Sequence, residues 1–595
     1  MTVSASTRKP EGDSRQWWKE ATVYQIYPAS FKDSNGDGLG DIRGVIEKLD
    51  YIQDLGVDAV WLCPIFKSPQ VDMGYDVSDY KDIHAPYGSL EDVEELIQCL
   101  HDRGIRCILD LVVNHTSDQH QWFKESRSSC ESTRRDWYIW RKPRFDEDGN
   151  RKPPNNWAAA FGGSAWTYDE ATAEYYLHLF APEQPDLNWE CPAVVQAVHE
   201  IMEFWLKKGV DGFRMDVINF ISKEPGLPDA EVTTSDPDYP YQNAIDLFCN
   251  GPRLHEHLRG LRAILDKYGA FSVGEMPGAK TDEQVANIVA AHRKELHTIF
   301  QFDIVDIDNS PEGKFSHKKT WQLPELKAII NRWQTFAHRV GGWNAVFMEN
   351  HDQARTVSRF TQHRPEHREL AAKMLATCLC TLSGTLFLYQ GQELGTANLP
   401  KHWGIEEYKD IESSNFYKEA LEAAGGDESA LAYAWRELQL KARDHARAPI
   451  QWDTTEHAGF STATPWMRVN EDTARCNVKS QKHNKDSVLN YWRRALKVRR
   501  EQKTTLVYGS FQMHDLENKA IISYSRHCDE TGEHVLVIIN FTDNDQEWVV
   551  PATERTVASS GKVVLSTYDT SIKVGDDGTV SLRPFEAMVL SRNRG

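Results

Sequence analysis

The sequence has little cysteine, no long apolar run and no basic surplus, and each shortage excludes a class of protein. Ten Cys in 595 residues are too few for a disulfide scaffold, and no pair has zinc-site spacing. The longest apolar stretch, residues 374–389, is broken at Ser383-Gly384 and is too short for a membrane span. The first residues contain no apolar segment like that of a signal peptide. These shortages predict a cytoplasmic protein with no membrane partner.

The charge balance argues against a nucleic-acid partner. The formal net charge is −20, whereas a nucleic-acid binder normally presents a basic face. Aromatic residues are plentiful, with 19 Trp and 21 Tyr. Aromatic rings fill protein cores, but exposed ones also suit amphipathic ligands such as sugars. A small-molecule ligand is therefore expected, and both a monomer and a homo-oligomer stay open.

From Trp17 to about Tyr508, short β-branched runs alternate with amphipathic segments. One of these segments, residues 193–208, has apolar residues at helical spacing and is followed by Gly209, a helix-ending signal. Eight strands are predicted, at residues 23–27, 59–62, 107–113, 212–217, 271–274, 298–302, 345–348 and 385–389. This alternation favours a (β/α)8 TIM barrel, with an open doubly wound sheet as the alternative.

The pattern also predicts how the chain is divided. Residues 1–16 form a polar tail, and residues 17–113 and 190–507 form the barrel, with an insertion at about 395–460 after strand 8. Residues 114–189 are too long for a simple loop and form an inserted subdomain after strand 3. Residues 508–595 form a C-terminal antiparallel β-sandwich, with strands at 520–525, 535–541, 548–550, 563–568 and 587–591.

Acids and bases stand at or just past the ends of four predicted barrel strands, where barrel active sites form. The segments are DLVVNH at 110–115, GFRMD at 212–216, VGE at 273–275 and ENHD at 349–352. Arg214 and Asp216 are two apart on a strand, so their side chains point the same way. Any one such acid is ordinarily a solvated or capping residue, but the four segments together indicate a catalytic site.

These segments, with QPDLNWE at 184–190, resemble the signatures of the α-amylase family of glycoside hydrolases (family 13), in its α-glucosidase and oligo-1,6-glucosidase branch. The resemblance covers nearly the whole chain from Trp17. It implies a (β/α)8 barrel, a subdomain after strand 3 and a C-terminal β-sandwich, in agreement with the organisation above.

The resemblance also implies catalytic roles: Asp216 is the nucleophile, Glu275 the general acid/base and Asp352 the transition-state stabiliser. Retaining hydrolysis needs one charged and one protonated carboxyl group, so the two environments must separate the pKa values. Arg214 is expected to keep Asp216 ionised. His115 and His351 are expected to hydrogen-bond the reacting sugar.

In this branch of the family, an Asp and an Arg close the pocket behind the terminal glucose. Asp76, in MGYD, and Arg447, in ARAPIQW, match those positions, although a surface salt bridge is the alternative for Arg447. Tyr75 is expected to stack on the sugar ring. The residues expected to line the entrance are Phe161, Phe180 and Gln184; each could instead be a core residue.

Val217 follows the predicted nucleophile directly, and in similar enzymes Val at this place accompanies action on α-1,6 bonds. One methyl group at the rim is worth only about 1–3 kcal/mol in discrimination. The alternative is that Val217 is merely a strand residue.

A run of oxygen-bearing residues near the N-terminus alternates as in a hard-cation loop. Its candidate ligands, with Leu39 contributing its carbonyl, are Asp33, Asn35, Asp37, Leu39 and Asp41. Gly44 stands where an EF-hand would have its Glu. The loop resembles the single Ca²⁺ or Mg²⁺ site of oligo-1,6-glucosidases, which implies a structural metal; an Asx-rich turn without metal is the alternative. No organic cofactor is expected.

The predicted function is that of an exo-acting retaining α-glucosidase. It releases glucose from short α-glucosides such as isomaltose, with maltose and sucrose as further substrates, and transfers glucose to sugars at high substrate concentration. The alternatives are a trehalose-phosphate hydrolase, a sucrose isomerase and, remotely, a non-catalytic transporter partner. The isomerases often carry an Arg-rich segment after strand 6, which IVDIDNSPEG at 304–313 lacks.

Overall fold

The computed structural model describes residues 15–233, 240–310, 313–316, 320–361, 366–568 and 573–593. Most of the predicted polar tail, residues 1–14, lies outside the described residues. The domain boundaries stated above stay predictions, whereas the predicted fold class is confirmed.

Eight parallel strands form one sheet that is nearly closed into a barrel, in the order β6-β5-β4-β3-β2-β1-β8-β7. Their bounds are β1 Thr22–Ile26, β2 Ala59–Leu62, β3 Arg106–Val112, β4 Gly212–Asp216, β5 Phe271–Glu275, β6 Thr298–Phe300, β7 Ala345–Val346 and β8 Thr385–Tyr389. The Thr298 hydroxyl of β6 donates at 3.1 Å to the carbonyl of Trp343, two residues before β7, and the two edge strands lie next to each other. The open doubly wound alternative is therefore excluded, because β1 pairs with both β2 and β8.

Helices surround the barrel; most bury one apolar face against it, whereas Arg368–Thr381 is buried along nearly its whole length. The longer ones are Leu90–Asp102, Pro192–Lys207, Leu254–Tyr268, Asp282–Val289, Leu323–Val340, Arg368–Thr381 and Val488–Glu501. The helix predicted at 193–208 begins with Pro192 at its first turn, and Gly209 follows its end with a φ of 100°. Proline lacks the N–H that a first helical turn leaves unpaired, and glycine tolerates positive φ, so both ends follow from local sequence.

Two segments interrupt the barrel, and both lie at the carboxyl ends of its strands. After β3, the chain forms helix Gln121–Ser128 and a three-stranded antiparallel sheet of Trp140–Arg141, Glu174–Leu177 and Trp166–Asp169. After β8, it forms three helices, Ile411–Ala424, Glu428–Lys441 and Asp444–Arg447. Both segments follow the carboxyl end of a barrel strand, so they lie on the side where the predicted acids stand.

The C-terminal region is antiparallel β structure, as predicted. One sheet contains Ser510–His514, Ile521–His527, Glu533–Asn540, Ala587–Asn593 and Lys562–Ser566, and a second pairs Gln546–Val549 with Thr579–Leu582. Trp548 and Val580 of the smaller sheet share one buried cluster with Leu536, Ile538 and Leu590 of the larger. Strands Ser510–His514 and Thr579–Leu582 were not among those predicted.

Among the residues described, no helix is both long enough and apolar enough to cross a membrane.

Candidate active site

The two predicted catalytic carboxyl groups lie side by side at the ends of β4 and β5. Arg214 Nη1 donates to Asp216 Oδ1 at 2.7 Å, and its Nη2 donates to Glu275 Oε2 at 2.5 Å. The two carboxyl groups also interact electrostatically, since the Asp216 carboxylate raises the pKa of Glu275. The same guanidinium bonds Asp110 of β3 at 2.8 Å, so three strands converge on one cation.

Burial controls the protonation of this pair. It raises the pKa of Asp216 to about 7 and that of Glu275 to about 8, although Arg214 opposes both shifts. Arg214 thus favours the ionised form of Asp216, as expected, but burial opposes it and the one guanidinium is shared among three buried carboxyl groups. Glu275 nevertheless keeps its proton to a higher pH than Asp216, which is the order that an acid and a nucleophile require.

Asp352 has the opposite electrostatic environment. Burial alone would raise its pKa, but the positive charges of Arg443 and Arg447 and the neighbouring His351 lower it well below its usual range. Arg447 Nη2 donates to Asp352 Oδ1 at 3.0 Å, and Arg443 Nη1 donates to the same oxygen at 3.2 Å. Asp352 is therefore ionised at neutral pH, beside two neutral or partly protonated acids.

The predicted clasp of Asp76 with Arg447 is wrong. The Asp76 carboxylate is fully buried and accepts hydrogen bonds from Ser68 and from two backbone N–H groups of its own loop. The acid that faces the arginines is Asp72, whose Oδ1 accepts from Arg443 Nη2 at 3.1 Å. Met73 and Gly74 have positive φ, and this turn separates the directions of the two carboxylates.

Arg447 is one of four buried charged residues beside Asp352, which we call the arginine wall: Asp72, Asp410, Arg443 and Arg447. Besides Asp352, it donates through Nη1 to Asp410 Oδ2 at 2.5 Å, and Asp410 also pairs with Arg443. Both arginines are buried, so the wall is an internal ion-pair network and the surface salt bridge considered for Arg447 is excluded.

Tyr75 and the two predicted histidines are grouped around the acids. The Tyr75 ring stacks on His351 at 5.3 Å, and its hydroxyl lies 2.7 Å from His351 Nε2 and donates to Asp110 at 3.0 Å. His115 Nε2 lies 3.1 Å from the Tyr75 carbonyl. Burial lowers the pKa of His115 to about 4 and that of His351 to about 3, so both rings are neutral.

The predicted entrance residues form a connected group. Phe180 contacts both Phe161, at 5.7 Å, and His115, at 5.0 Å. Phe161 lies under the Arg443 guanidinium at 5.1 Å, and Gln184 donates to Asp72 at 3.2 Å. The three residues therefore lie near one another, with Gln184 in contact with Asp72, and their role at the entrance stays a prediction.

Val217 adopts an unusual backbone conformation immediately after Asp216. Its φ is 32°, in a region that β-branched residues rarely occupy. Its N–H points at Glu275 Oε2, 3.3 Å away. This turn links the end of β4 to the acid of β5, so Val217 lies just past the strand rather than in it.

The comparisons with known proteins agree with this geometry. The family profile described as "Alpha amylase, catalytic domain" matches residues 25–509. This chain belongs to the α-amylase family of glycoside hydrolases. It is 46% identical over 576 residues to an α-glucosidase of Schizosaccharomyces pombe, covering 96% of this chain and 98% of that protein.

Two further family members extend the comparison. An oligo-1,6-glucosidase of Parageobacillus thermoglucosidasius is 45% identical over 576 residues, covering 97% of this chain and 99% of that protein. The crystal structure of Bacillus licheniformis trehalose-6-phosphate hydrolase superposes with a TM-score of 0.87 at 39% identity, covering 97% of this chain and all of that one. The family and the enzyme class are thus shown, while each substrate name belongs to the relative that carries it.

Several residues of this family site escaped sequence reasoning: Gln25, Asp72, Asp110, Asp410 and Arg443. Asp110 opens a quoted motif and Asp72 stands four residues before Asp76, so both carried a visible signal. Asp410 lies in the insertion after β8, where no strand register fixes its direction.

The predicted metal loop is held by its own backbone. Asp33 Oδ1 accepts from the N–H groups of Asn35 and Gly36, and its Oδ2 from Gly38 N–H and the Ser461 hydroxyl. Asp41 accepts from Ser34 and from Gly44 N–H at the start of helix Ile42–Glu47. In the described part of the chain, no three His, Cys, Asp or Glu side chains form a metal-binding group. The loop nevertheless offers side-chain and carbonyl oxygens, the donors that a hard cation prefers.

Proposed function

We propose that this protein is an exo-acting, retaining α-glucosidase that releases glucose from the non-reducing end of short α-glucosides. The observation that carries the proposal is the contact of Asp216 and Glu275 with the same Arg214 guanidinium, at 2.7 and 2.5 Å. Retaining enzymes hold their two carboxyl groups about 5–5.5 Å apart, whereas inverting enzymes leave about 6.5–9.5 Å for a water molecule. The adjacency of the two groups supports the retaining route.

In the proposed reaction, an oxygen of Asp216 bonds to C1 of glucose as the bond from C1 to the leaving oxygen breaks. Glu275 gives its proton to that leaving oxygen. Glu275 then takes a proton from water, and the water oxygen attacks C1 and releases Asp216. Asp352, ionised by its arginines, stabilises the positive charge that develops on the sugar ring.

The arginine wall supports an end-cutting reaction. Asp72, Asp410, Arg443 and Arg447 form a buried network beyond Asp352. Charge-assisted hydrogen bonds from such a wall can bind the terminal hydroxyl groups of one glucose, and its buried side chains leave no groove for a further sugar. We assign Asp72, rather than Asp76, to this recognition.

The linkage preference rests on Val217. Val217 directly follows Asp216, its backbone N–H lies 3.3 Å from Glu275 Oε2, and its side chain is buried. We infer that isomaltose is cleaved, with maltose and sucrose as further substrates. Val217→Thr keeps the shape and exchanges one methyl for a hydroxyl, and it is expected to lower the isomaltose-to-maltose activity ratio. An unchanged ratio would remove Val217 from the argument.

The other predicted functions have less support. Of the described cations beside the mouth, Lys314 binds Glu412 at 2.7 Å and Arg443 binds Asp72 at 3.1 Å, so neither is free to hold a phosphate. The loop after β6 lacks the Arg-rich segment of sucrose isomerases. A non-catalytic role does not explain why all three acids meet in one buried site.

We also infer that the loop of Asp33, Asn35, Asp37, Leu39 and Asp41 binds one Ca²⁺ or Mg²⁺ in a structural role. The alternating oxygen donors and the positive φ of Gly36 and Gly38 support this inference. The ion takes no part in the proposed reaction.

The decisive experiment is hydrolysis of p-nitrophenyl α-glucoside and isomaltose by the wild type and by Asp216→Asn. We expect the wild type to release α-glucose first, as seen by NMR of the anomeric proton, and the variant to lose at least about 1,000-fold in kcat. Initial release of β-glucose would contradict the retaining route, and an unaffected variant would contradict the role of Asp216.

A further inference from the structure

His351 has close contacts at both ring nitrogens. Its Nδ1 lies 2.8 Å from Nε2 of Gln25, a residue of β1. Its Nε2 lies 3.0 Å from Asp352 Oδ2 and 2.7 Å from the Tyr75 hydroxyl. Gln25 and His351 are each about 1% exposed, so these contacts determine the state of the ring.

The position of the imidazole proton follows from these contacts. The Asp352 carboxylate, 3.0 Å from His351 Nε2, offers only lone pairs, so a lone pair on Nε2 would be repelled there and Nε2 carries the ring proton. The Tyr75 hydroxyl donates to Asp110 and is therefore also an acceptor from His351. Because the ring is neutral, its Nδ1 carries a lone pair, which requires a donor on the other side.

Gln25 is the group that supplies this donor. Its amide nitrogen has two N–H groups, one directed at His351 Nδ1 and the other at Cys63 Sγ, 3.2 Å away. The opposite amide orientation would place a carbonyl oxygen against the Nδ1 lone pair. The orientation of the Gln25 amide and the Nε2–H tautomer of His351 therefore stabilise each other.

We propose that Gln25 is a positioning residue whose amide N–H holds His351 in the Nε2–H tautomer. The proposal deepens the glucosidase function above and rests on it for its kinetic test. In this tautomer, the Nε2–H of His351 faces both Asp352 and the Tyr75 hydroxyl. The Tyr75 hydroxyl donates to Asp110, and Asp110 accepts from the Arg214 guanidinium that contacts both catalytic acids. A residue at the first barrel strand thereby orients a site built mainly from β3, β4, β5 and the loop after β7.

Two substitutions of similar size separate positioning from packing. Gln25→Met removes the donor, and we expect kcat/KM to fall roughly 10- to 100-fold at every pH. In Gln25→Glu, a hydrogen bond between the introduced carboxyl group and Nδ1 needs a proton between them, carried either by the carboxyl group or by Nδ1. At high pH this proton is lost, and the carboxylate faces the Nδ1 lone pair. We expect the activity of this variant relative to wild type to be highest at acid pH and to fall as pH rises.

Cys63→Ala is the matched control. It removes the second contact of the Gln25 amide and leaves the contact with His351, so its pH profile should follow that of the wild type. The charged and titratable groups that face His351 are common to all these variants: Tyr27, Tyr75, Arg214, Asp352, Arg443 and Arg447.

Equal losses in Gln25→Met and Gln25→Glu at every pH would overturn the proposal and leave Gln25 a packing residue. A second measurement does not depend on turnover. NMR of ¹⁵N-histidine protein, with His351→Asn to assign the signal, should show a neutral ring protonated at Nε2 in the wild type and an increased Nδ1–H fraction in Gln25→Met. A wild-type ring protonated at Nδ1 would contradict the proposal even if the protein proved not to be a glucosidase. Conversely, the predicted NMR result with no α-glucosidase activity would reject the function and retain the positioning role.

Discussion

Three carboxyl groups and one guanidinium determine the chemistry of the site. Asp110, Asp216 and Glu275 all contact Arg214, whose side chain is 1% exposed. One positive charge cannot stabilise three buried negative charges, so protons remain on the acids near neutral pH. Burial therefore brings the pKa values of Asp216 and Glu275 close to neutral pH. Asp352 stays charged because two arginines face it.

The pKa values of the acid pair predict the pH dependence of kcat/KM. The active form has Asp216 ionised and Glu275 protonated, so activity should fall below a pH of about 7 and above about 8. The pair titrates as a unit, so the two limbs report apparent values of the pair. Initial rates on isomaltose from pH 5 to 10 measure both limbs.

Glu275→Gln assigns the limbs. With p-nitrophenyl α-glucoside, whose leaving group needs no proton, this variant should keep the acid limb and lose the alkaline one. An alkaline limb that persists in Glu275→Gln would show that Glu275 is not the general acid.

Sequence reasoning located the acids of the site but not the direction of every side chain. Arg214 and Asp216 alternate on a strand, and a strand's period of two fixes their common face. Asp72 and Asp76 lie in a loop, where dihedral angles at Met73 and Gly74 decide which carboxylate faces the arginines. Both acids are visible in the sequence, but a loop has no regular period from which the direction of each carboxylate could be predicted.

Asp72→Asn and Asp76→Asn should therefore have different effects. Asp72→Asn removes a charge from the arginine wall, and kcat/KM for isomaltose should fall about 10- to 100-fold with little loss of stability. Asp76→Asn disturbs an acceptor of three hydrogen bonds inside the loop, and it should lower the melting temperature by several degrees. Kinetics and thermal unfolding of both variants test this contrast; a larger kinetic effect at Asp76 would restore the original assignment.

At the scale of elements, hydrophobic alternation predicted all eight barrel strands, and the ends of β2 and β8 were predicted to the residue. The predicted β6 and β7 were longer than the observed strands, because residues 301–302 and 347–348 leave the sheet ladder to enter the loops that carry the site. Tertiary contacts at the barrel mouth, rather than local propensity, end these strands.

The loop from Asp33 to Asp41 gives a prediction at this scale. Millimolar Ca²⁺ should raise the melting temperature of the wild type, because a ligand bound to the folded state adds RT ln(1 + [L]/Kd) to its stability. EDTA should reverse the increase, and Asp33→Ala should abolish it. Differential scanning calorimetry measures these shifts.

Asp50→Asn is the control for the loss of one negative charge, since this exposed acid lies outside the loop. It should respond to Ca²⁺ as the wild type does. A wild-type melting temperature that is the same in Ca²⁺ and in EDTA would identify the loop as an Asx-rich turn without metal.

At the scale of the whole molecule, buried cations join the barrel to the C-terminal sheets through backbone carbonyls. Lys327, on helix Leu323–Val340, donates to the carbonyls of Asp515, Asn518 and Ile521 at 2.6, 2.7 and 3.1 Å. Arg526 of the larger sheet donates to Gln334 of the same helix at 3.0 Å. The C-terminal region is thus bonded to the barrel wall by directional contacts as well as by apolar packing.

Lys327→Met should weaken this junction without altering catalysis. Methionine keeps the apolar stem, but it leaves three inward carbonyls without their donor, at an expected cost of about 2–4 kcal/mol in the free energy of unfolding. The melting temperature should fall by several degrees while kcat and KM at 25 °C stay at wild-type values, because Lys327 contacts none of the site residues. Lys497→Ala, at a lysine whose side chain is 73% exposed, should change neither quantity. If Lys327→Met unfolded at the wild-type temperature, the carbonyl contacts would be ruled out as a source of cohesion, and apolar packing alone would have to hold the barrel and the C-terminal sheets together.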